Sequence, residues 1–112
     1  MFRLTFGPRA VQSWPLLPRR VQLRFDRAFD DLQRNPRAPT PDADIHALEG
    51  YSNAWTLRYV EKGGGWRGIY AIDGQEVVFI VFGHRKSVYP QLHAFLPPEG
   101  DFITRTSAEK RR

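Results

Sequence analysis

Six consecutive apolar residues, Val77–Phe82, end at Gly83 and are followed directly by a polar and basic segment, residues 84–89. A short run rich in β-branched and aromatic side chains predicts a strand that is buried on both faces. Such a strand needs neighbouring strands on each side and further layers above and below it. The chain is therefore expected to fold around a central sheet, with His84 and the basic residues after it at one edge.

Alternation of apolar and polar side chains predicts three further strands, at residues 2–6, 54–60 and 66–72. Asp73-Gly74 predicts a tight hairpin that joins the third of them to the apolar strand. The last three strands along the chain are therefore expected to form an antiparallel meander.

Two helices are predicted before the meander. A short one begins at Pro8 and runs to about Trp14, and a longer one at residues 19–34 carries an apolar stripe at three- and four-residue spacing. We expect both helices to cover one face of the sheet and to leave the other face free. Residues 35–53 contain three prolines and are predicted to be a long connection with at most one helical turn.

These elements predict a small single α+β domain, with an N-terminal strand and two helices packed on one face of an antiparallel sheet. The domain is expected at residues 1–96, and a short helix is predicted from Tyr89-Pro90 to about Leu96. Residues 97–112 are predicted to be a C-terminal extension that is partly disordered.

The composition favours an anionic partner. The net charge is +5, and fourteen arginines stand against three lysines. Arginine binds phosphate in a bidentate manner, although a biased genomic composition would explain the same ratio. The sequence has no cysteine, which excludes a thiolate metal site and a cysteine nucleophile. With no signal-peptide pattern and no apolar segment of about 20 residues, we expect a cytoplasmic protein without membrane contacts.

Three arginines are expected to lie close together on the sheet. Arg58 and Arg67 lie in neighbouring predicted strands, where facing residues are about 5 Å apart, and Arg85 follows the next strand. Their guanidinium groups would repel one another strongly unless an anion were bound between them. A phosphodiester suits such a site, whereas the alternative interpretation is three separate surface arginines.

Cleavage of RNA by its own 2′-hydroxyl needs a proton acceptor, cations around the phosphorus and a proton for the leaving 5′-oxygen, but no metal. Tyr89 could orient a nucleotide or stack on a base, or could instead pack under the C-terminal helix. His84 could transfer a proton near neutral pH, or could be a structural residue at the end of the strand. His46 and His93 show no metal-ligand spacing with His84, so we expect no metal and no cofactor.

The order and spacing of several segments resemble the RelE/ParE superfamily of toxins from type II toxin–antitoxin systems. The resemblance spans about residues 2–93 and implies the RelE-like microbial ribonuclease topology. It is carried by Arg19–Arg34 with the Asn-Pro that follows, Leu48-Glu49-Gly50, Trp55–Arg58, Trp66–Tyr70 and Val81–Tyr89.

Membership of the RelE branch would imply an mRNA interferase, a ribosome-dependent endoribonuclease that cuts mRNA in the decoding site without a metal and so inhibits translation. By motif, Arg58 matches a basic residue for proton transfer or phosphate binding, and Arg67 matches the arginine that stabilises the transition state. Arg85 matches an arginine near the leaving group, and Tyr89 matches the tyrosine that orients the nucleotide. The implied partners are mRNA on the ribosome and a cognate antitoxin, through which the complex would bind operator DNA.

The sequence departs from the ribonuclease pattern at two positions. Thr56 stands where the best-known ribonucleases have a lysine, and Arg58 replaces another lysine. Because arginine stays protonated in proteins, it is a poor general base, and proton transfer is instead expected from His84. One alternative is a ParE-like toxin that binds and inhibits DNA gyrase without cutting RNA, and another is an inactive or antitoxin-dependent DNA-binding relic. Replacing Arg67 or Arg85 by alanine is expected to leave the fold intact, because neither is predicted to lie in the core.

Overall fold

The computed structural model describes residues 1–62 and 64–92, together with the backbone of residues 109–110. The strands of this part of the chain are β1 (Arg3–Phe6), β2 (Asp44–Ala47), β3 (Trp55–Glu61), β4 (Gly64–Asp73), β5 (Glu76–His84) and β6 (Glu109–Lys110). The helices are α1 (Pro8–Ser13), α2 (Arg19–Arg34) and α3 (Arg85–Val88).

The strands form one sheet in the order β2-β3-β4-β5-β1-β6. The β3-β4-β5 meander is antiparallel as predicted, whereas β1 runs parallel to β5 and makes the sheet mixed. The apolar strand β5 therefore has a neighbour on each side, which confirms that it lies inside the sheet. The predicted α+β class is confirmed.

Strand β2 was not predicted, and the expectation of an irregular connection over residues 35–53 is wrong for this part. Residues 44–47 pair antiparallel with β3, with Asp44 opposite Arg58 and His46 opposite Thr56. The prolines lie before the strand, where they interrupt no backbone hydrogen bond of the sheet. The four-residue strand forms because Ile45 on its inner side joins the main core.

The longer helix α2 has the predicted bounds. Its buried residues are the predicted apolar stripe, namely Val21, Phe25, Ala28, Phe29 and Leu32. Pro18 precedes the first turn, and Asn35-Pro36 follows the last one. Both α1 and α2 pack on the same face of the sheet, which we call the helix-covered face.

An aromatic cluster fills the space between these helices and the sheet. The rings of Phe6, Phe29, Phe79 and Phe82 contact one another with centroid separations from 4.8 to 6.4 Å. Gly68 lies beneath this cluster on β4, where an added Cβ would approach the rings of Phe79 and Phe82 to about 3 Å. The close approach of these rings to the backbone therefore requires glycine at this position.

The opposite face of the sheet, which we call the second face, is free only in part. A smaller apolar cluster covers its middle, and the buried members are Ala54, Ile69, Val78, Ile80, Val81, Val88 and Leu92.

The helical segment after β5 begins earlier than predicted. Helix α3 starts at Arg85, directly after the strand, and is followed by a 3₁₀ turn at Tyr89–Gln91. Its buried residue Val88 belongs to the smaller apolar cluster, so packing on the second face stabilises this early start. The predicted boundary at residues 96 and 97 lies outside the described residues.

The carboxylate of Glu61 connects α2 with the β3-β4 hairpin through hydrogen bonds. Nε of Arg20 donates to Glu61 at 3.0 Å, and the indole Nε1 of Trp66 donates to the same carboxylate at 3.0 Å. The hydrogen bonds from Arg20 and then from Trp66 lower the pKa of Glu61 to about 2. The ionised form of Glu61 is therefore the one that stabilises the folded chain.

We expect acid to remove the stabilisation that the hydrogen bonds to Glu61 provide. Because the pKa of Glu61 is lower in the folded chain than in the unfolded chain, its stabilising effect is complete above about pH 5 and disappears as the pH falls toward about 2. Urea unfolding at low salt should show a difference in free energy between wild type and Glu61→Gln at about pH 7 that shrinks at about pH 3. An equal difference at both pH values would contradict this assignment.

Candidate active site

Two arginines lie opposite each other on the second face of the sheet. Arg58 of β3 and Arg67 of β4 are cross-strand partners in the antiparallel register, a register that the glycine-rich loop between the two strands leaves open in the sequence. Leu57 and Tyr59 point to the helix-covered face, so Arg58 between them points to the second face. Like charges at opposed positions destabilise a sheet. The positive charge of each arginine therefore needs neighbouring groups that stabilise it.

Arg67 is buried, with only 4% of its surface exposed. Its Nε donates to the hydroxyl of Tyr89 at 2.9 Å, and its Nη1 donates to the backbone carbonyl of Trp66 at 3.0 Å. The guanidinium also lies 5.6 Å from the centre of the Tyr89 ring. The expectation that Arg67 lies outside the core is therefore wrong.

The partners of Arg67 are neutral. Among the described residues, no carboxylate forms an ion pair with it. Its positive charge is stabilised instead by a hydroxyl, a carbonyl and an aromatic face. A buried cation without a counter-charge is unfavourable, because hydrogen bonds to neutral groups replace only part of its hydration. The second face therefore presents a fixed positive charge that an anion would stabilise.

Arg58 has a carboxylate partner from the edge strand. Its Nε donates to Oδ2 of Asp44 at 3.1 Å, and the other oxygen of Asp44 lies 2.7 Å from Nε2 of His46. Burial alone would raise the pKa of the Asp44 carboxyl, but the hydrogen bonds from His46 and Arg58 together hold the pKa below its usual value. Asp44 is thus an anion at neutral pH and joins the two side chains.

Tyr89 and Arg85 lie near this pair on the segment that follows β5. The hydroxyl of Tyr89 accepts from Arg67 and lies 3.5 Å from Oγ1 of Thr56. Arg85 is exposed at the start of α3, one helical turn before Tyr89, whose backbone N–H donates to the Arg85 carbonyl. Residues four apart share one side of a helix, so Arg85 and Tyr89 lie along the same side of this segment.

His84 lies on the opposite face from the arginine pair. It is the cross-strand partner of Trp66, and the two rings meet edge to face with centroids 5.1 Å apart. Its Nδ1 accepts the backbone N–H of Lys86 at 3.3 Å, which makes His84 the N-terminal cap of α3. The structure therefore brings together Arg58, Arg67 and Tyr89, with Arg85 one turn away, and does not bring His84 to them.

Further arginines line a groove on the helix-covered side. The groove has a volume of about 500 Å³ and is lined by Arg20, Leu23, Arg24, Arg27 and Tyr59. Arg20 and Arg24 form ion pairs with Glu61 and Asp42, whereas Arg27 is exposed and forms none with a described residue. These pairs neutralise most of the groove, so it attracts an anion less strongly than the second face does.

Sequence reasoning did not identify Asp44 and His46 as site residues. The signal that could have found them is the alternation of Asp44, Ile45, His46 and Ala47, in which a single buried apolar residue lies between two polar ones. The described residues contain no group of three His, Asp or Glu side chains that could hold a metal ion. No helix in this part of the chain is long and apolar enough to cross a membrane.

Neither a family model nor a curated protein matches this sequence. The fold, in contrast, matches solved structures. The chain is 22% identical to a structure from the RelB-RelE antitoxin-toxin complex of Methanococcus jannaschii, with a TM-score of 0.60 over 76% of this chain and 94% of that one. It is 18% identical to a free E. coli RelE toxin with two arginines replaced by alanine, with a TM-score of 0.65 over 84% of this chain and 92% of that one.

A third match is a chain of the intact E. coli RelBE toxin-antitoxin complex, with 22% identity and a TM-score of 0.58 over 74% of this chain and 95% of that one. Each match covers nearly all of the solved chain, so the likeness extends over the whole domain rather than over one motif. This chain has the fold of the RelE toxins.

Proposed function

We propose that this protein is the toxin of a type II toxin–antitoxin system and an endoribonuclease that cleaves mRNA on the ribosome. The observation that carries the proposal is Arg67, a buried cation with no carboxylate partner among the described residues. It contacts Tyr89 and lies opposite Arg58, and these side chains suit a phosphodiester. The RelE fold supports the same function.

The chemistry follows from the contacts of Tyr89. Because its oxygen accepts from Arg67, its own proton is directed either to Thr56 or, once substrate is bound, to an oxygen of the substrate. The charge of Arg67 polarises this hydroxyl and stabilises negative charge that develops beside it. Arg58 and the exposed Arg85 then bind the phosphate from the sides, and no step requires a metal.

A protein antitoxin is the proposed partner. Solved complexes of similar fold pair a RelE toxin with RelB, and the basic second face would attract an acidic segment of an antitoxin. Such a segment would supply the counter-charge that Arg67 lacks. The toxin–antitoxin complex would bind operator DNA through the antitoxin.

The decisive experiment is mRNA cleavage by the purified protein, with and without programmed 70S ribosomes, mapped by primer extension. Cuts within codons that require ribosomes are the expected result. Intact mRNA together with inhibited supercoiling by DNA gyrase would overturn the nuclease and favour a ParE-like inhibitor. Intact mRNA with active gyrase would overturn both.

Arg85→Ala is expected to slow this cleavage by about 10²-fold, because it removes one cation that binds the reacting phosphate. The fold should be unaffected, since the Arg85 side chain is exposed. Arg34→Ala is the matched control, because it removes one exposed arginine at the end of α2. Equal cleavage rates for the two variants would contradict a role for Arg85.

A further inference from the structure

We propose that His46 is the general base that accepts the 2′-hydroxyl proton and that Asp44 orients it. This inference rests on the proposed ribonuclease function and identifies a proton acceptor, which the arginines cannot provide. It arises from the pairing of β2 with β3, which brings His46 to the same face of the sheet as Arg58.

The contact with Asp44 determines which nitrogen of His46 acts. An ionised carboxylate only accepts hydrogen bonds, so the Nε2 that lies 2.7 Å from Oδ1 of Asp44 carries the proton. In neutral imidazole the other nitrogen, Nδ1, is then unprotonated. This Nδ1 makes no hydrogen bond with a residue that the structure describes, and the side chain is 47% exposed. A substrate hydroxyl can therefore reach it.

The position of His46 on the sheet suits a proton acceptor beside Tyr89. His46 is the cross-strand partner of Thr56, and facing residues of antiparallel strands are about 5 Å apart. Oγ1 of Thr56 in turn lies 3.5 Å from the hydroxyl of Tyr89. A phosphodiester bound between Arg58 and Tyr89 would thus have His46 on one side and the proton of Tyr89 on the other.

Other described groups on this face are unsuited to the task. Arg58 and Arg67 remain protonated, and Asp44 already accepts hydrogen bonds from Arg58 and His46. His84 points to the helix-covered face beside Trp66. Among the described histidines, His46 alone lies on the second face with a free ring nitrogen.

Atoms and charges balance in the proposed step. Nδ1 of His46 takes the 2′ proton, the 2′-oxygen forms a bond to phosphorus, and the bond from phosphorus to the 5′-oxygen breaks. The 5′-oxygen takes the hydroxyl proton of Tyr89, which leaves a 2′,3′-cyclic phosphate, a 5′-hydroxyl, an imidazolium and a phenolate. Asp44 stabilises the imidazolium and Arg67 stabilises the phenolate. Proton exchange with water restores both side chains.

The test is the single-turnover cleavage rate on programmed ribosomes as a function of pH. Wild type should show a rate that rises with pH, and His46→Gln should lose this rising limb and be slower by about 10²–10⁴-fold. Added imidazole should restore part of the activity of His46→Ala, which a purely structural histidine would not show. Circular dichroism should show the wild-type fold for both variants, because the side chain is exposed.

A second pair of variants tests the orienting carboxylate. Among the described residues, the charged groups that face His46 are Asp44 on its own strand and Arg58 on β3. Asp44→Asn removes the negative charge that favours the imidazolium, so the midpoint of the rising limb should move to lower pH. Asp42→Asn is the matched control, since Asp42 pairs with Arg24 on the other side of the sheet, and it should leave the midpoint unchanged.

Two results would overturn the proposal, and they are distinguishable. If wild type cuts mRNA and His46→Gln has the same rate and pH profile, His46 is not the base and the ribonuclease function stands. If wild type cuts no mRNA at any pH, the ribonuclease function and the role of His46 both fall.

Discussion

Arg67→Ala is expected to lower the rate of ribosome-dependent cleavage by about 10²–10³-fold, the usual cost of removing a group that stabilises charge in the transition state. The variant removes the buried cation and also the donor to Tyr89. Single-turnover rates on programmed ribosomes would measure the effect, with growth arrest in cells as a second readout.

The controls must separate lost chemistry from lost folding, because Arg67 is buried. Arg67→Lys keeps the charge but loses the planar guanidinium, so it should recover part of the activity. Arg27→Ala removes an exposed arginine from α2 and should leave the rate unchanged. Wild-type activity in a folded Arg67→Ala variant would contradict the proposed mechanism.

Phe79→Ala is expected to destabilise the domain by about 3–5 kcal/mol, as found for large-to-small changes of buried aromatic residues. Phe79 is fully buried, and its ring contacts those of Phe6, Phe29, Tyr70 and Phe82. A rigid cluster of this kind cannot collapse fully into the vacated space, so a cavity remains. Small domains have a total stability of only about 5–15 kcal/mol, and a large share of it would be lost.

Equilibrium unfolding in urea would measure this loss as a lower midpoint with an unchanged slope. Val60→Ala on β3 is the matched control, because Val60 is 62% exposed and its truncation should change the stability by no more than about 0.5 kcal/mol. Similar midpoints for the two variants would show that the aromatic cluster does not dominate the stability of the domain.

The class of the fold could be read from the sequence because local patterns dictate it. The apolar stripe of α2 and the prolines beside it specify one helix, and its bounds agree with the structure. The hairpin at Asp73-Gly74 also forms, with Gly74 at a positive φ of 58°. Strand β2 was not predicted because four residues after a proline-rich segment show little alternation of apolar and polar side chains. Pairing with β3 supplies the stabilisation that this segment lacks by itself.

The burial of Arg67 could not be read from its strand. A lone arginine between apolar neighbours indicates only a polar face, and what covers that face depends on the distant α3 and Tyr89. The meander predicted that Arg58 and Arg67 lie on neighbouring strands, but their direct pairing depends on the register of the hairpin. The choice of Asp44 as the partner of Arg58 required the position of β2.

The position of His84 was decided by a bulge. The pairing of β4 with β5 shifts between Ile69 and Tyr70, so that Phe79 and Phe82 both face the helices although they are three residues apart. In a regular strand, residues three apart point to opposite faces, and His84 would share the second face with the arginines. The sequence by itself determined the α+β class, helix α2 and the meander that carries the two arginines, because these depend on periodicity along the chain. Only the tertiary structure decided which histidine shares a face with the arginines. A one-residue shift inside a run of apolar residues does not change the order of apolar and polar residues, so the sequence does not reveal it.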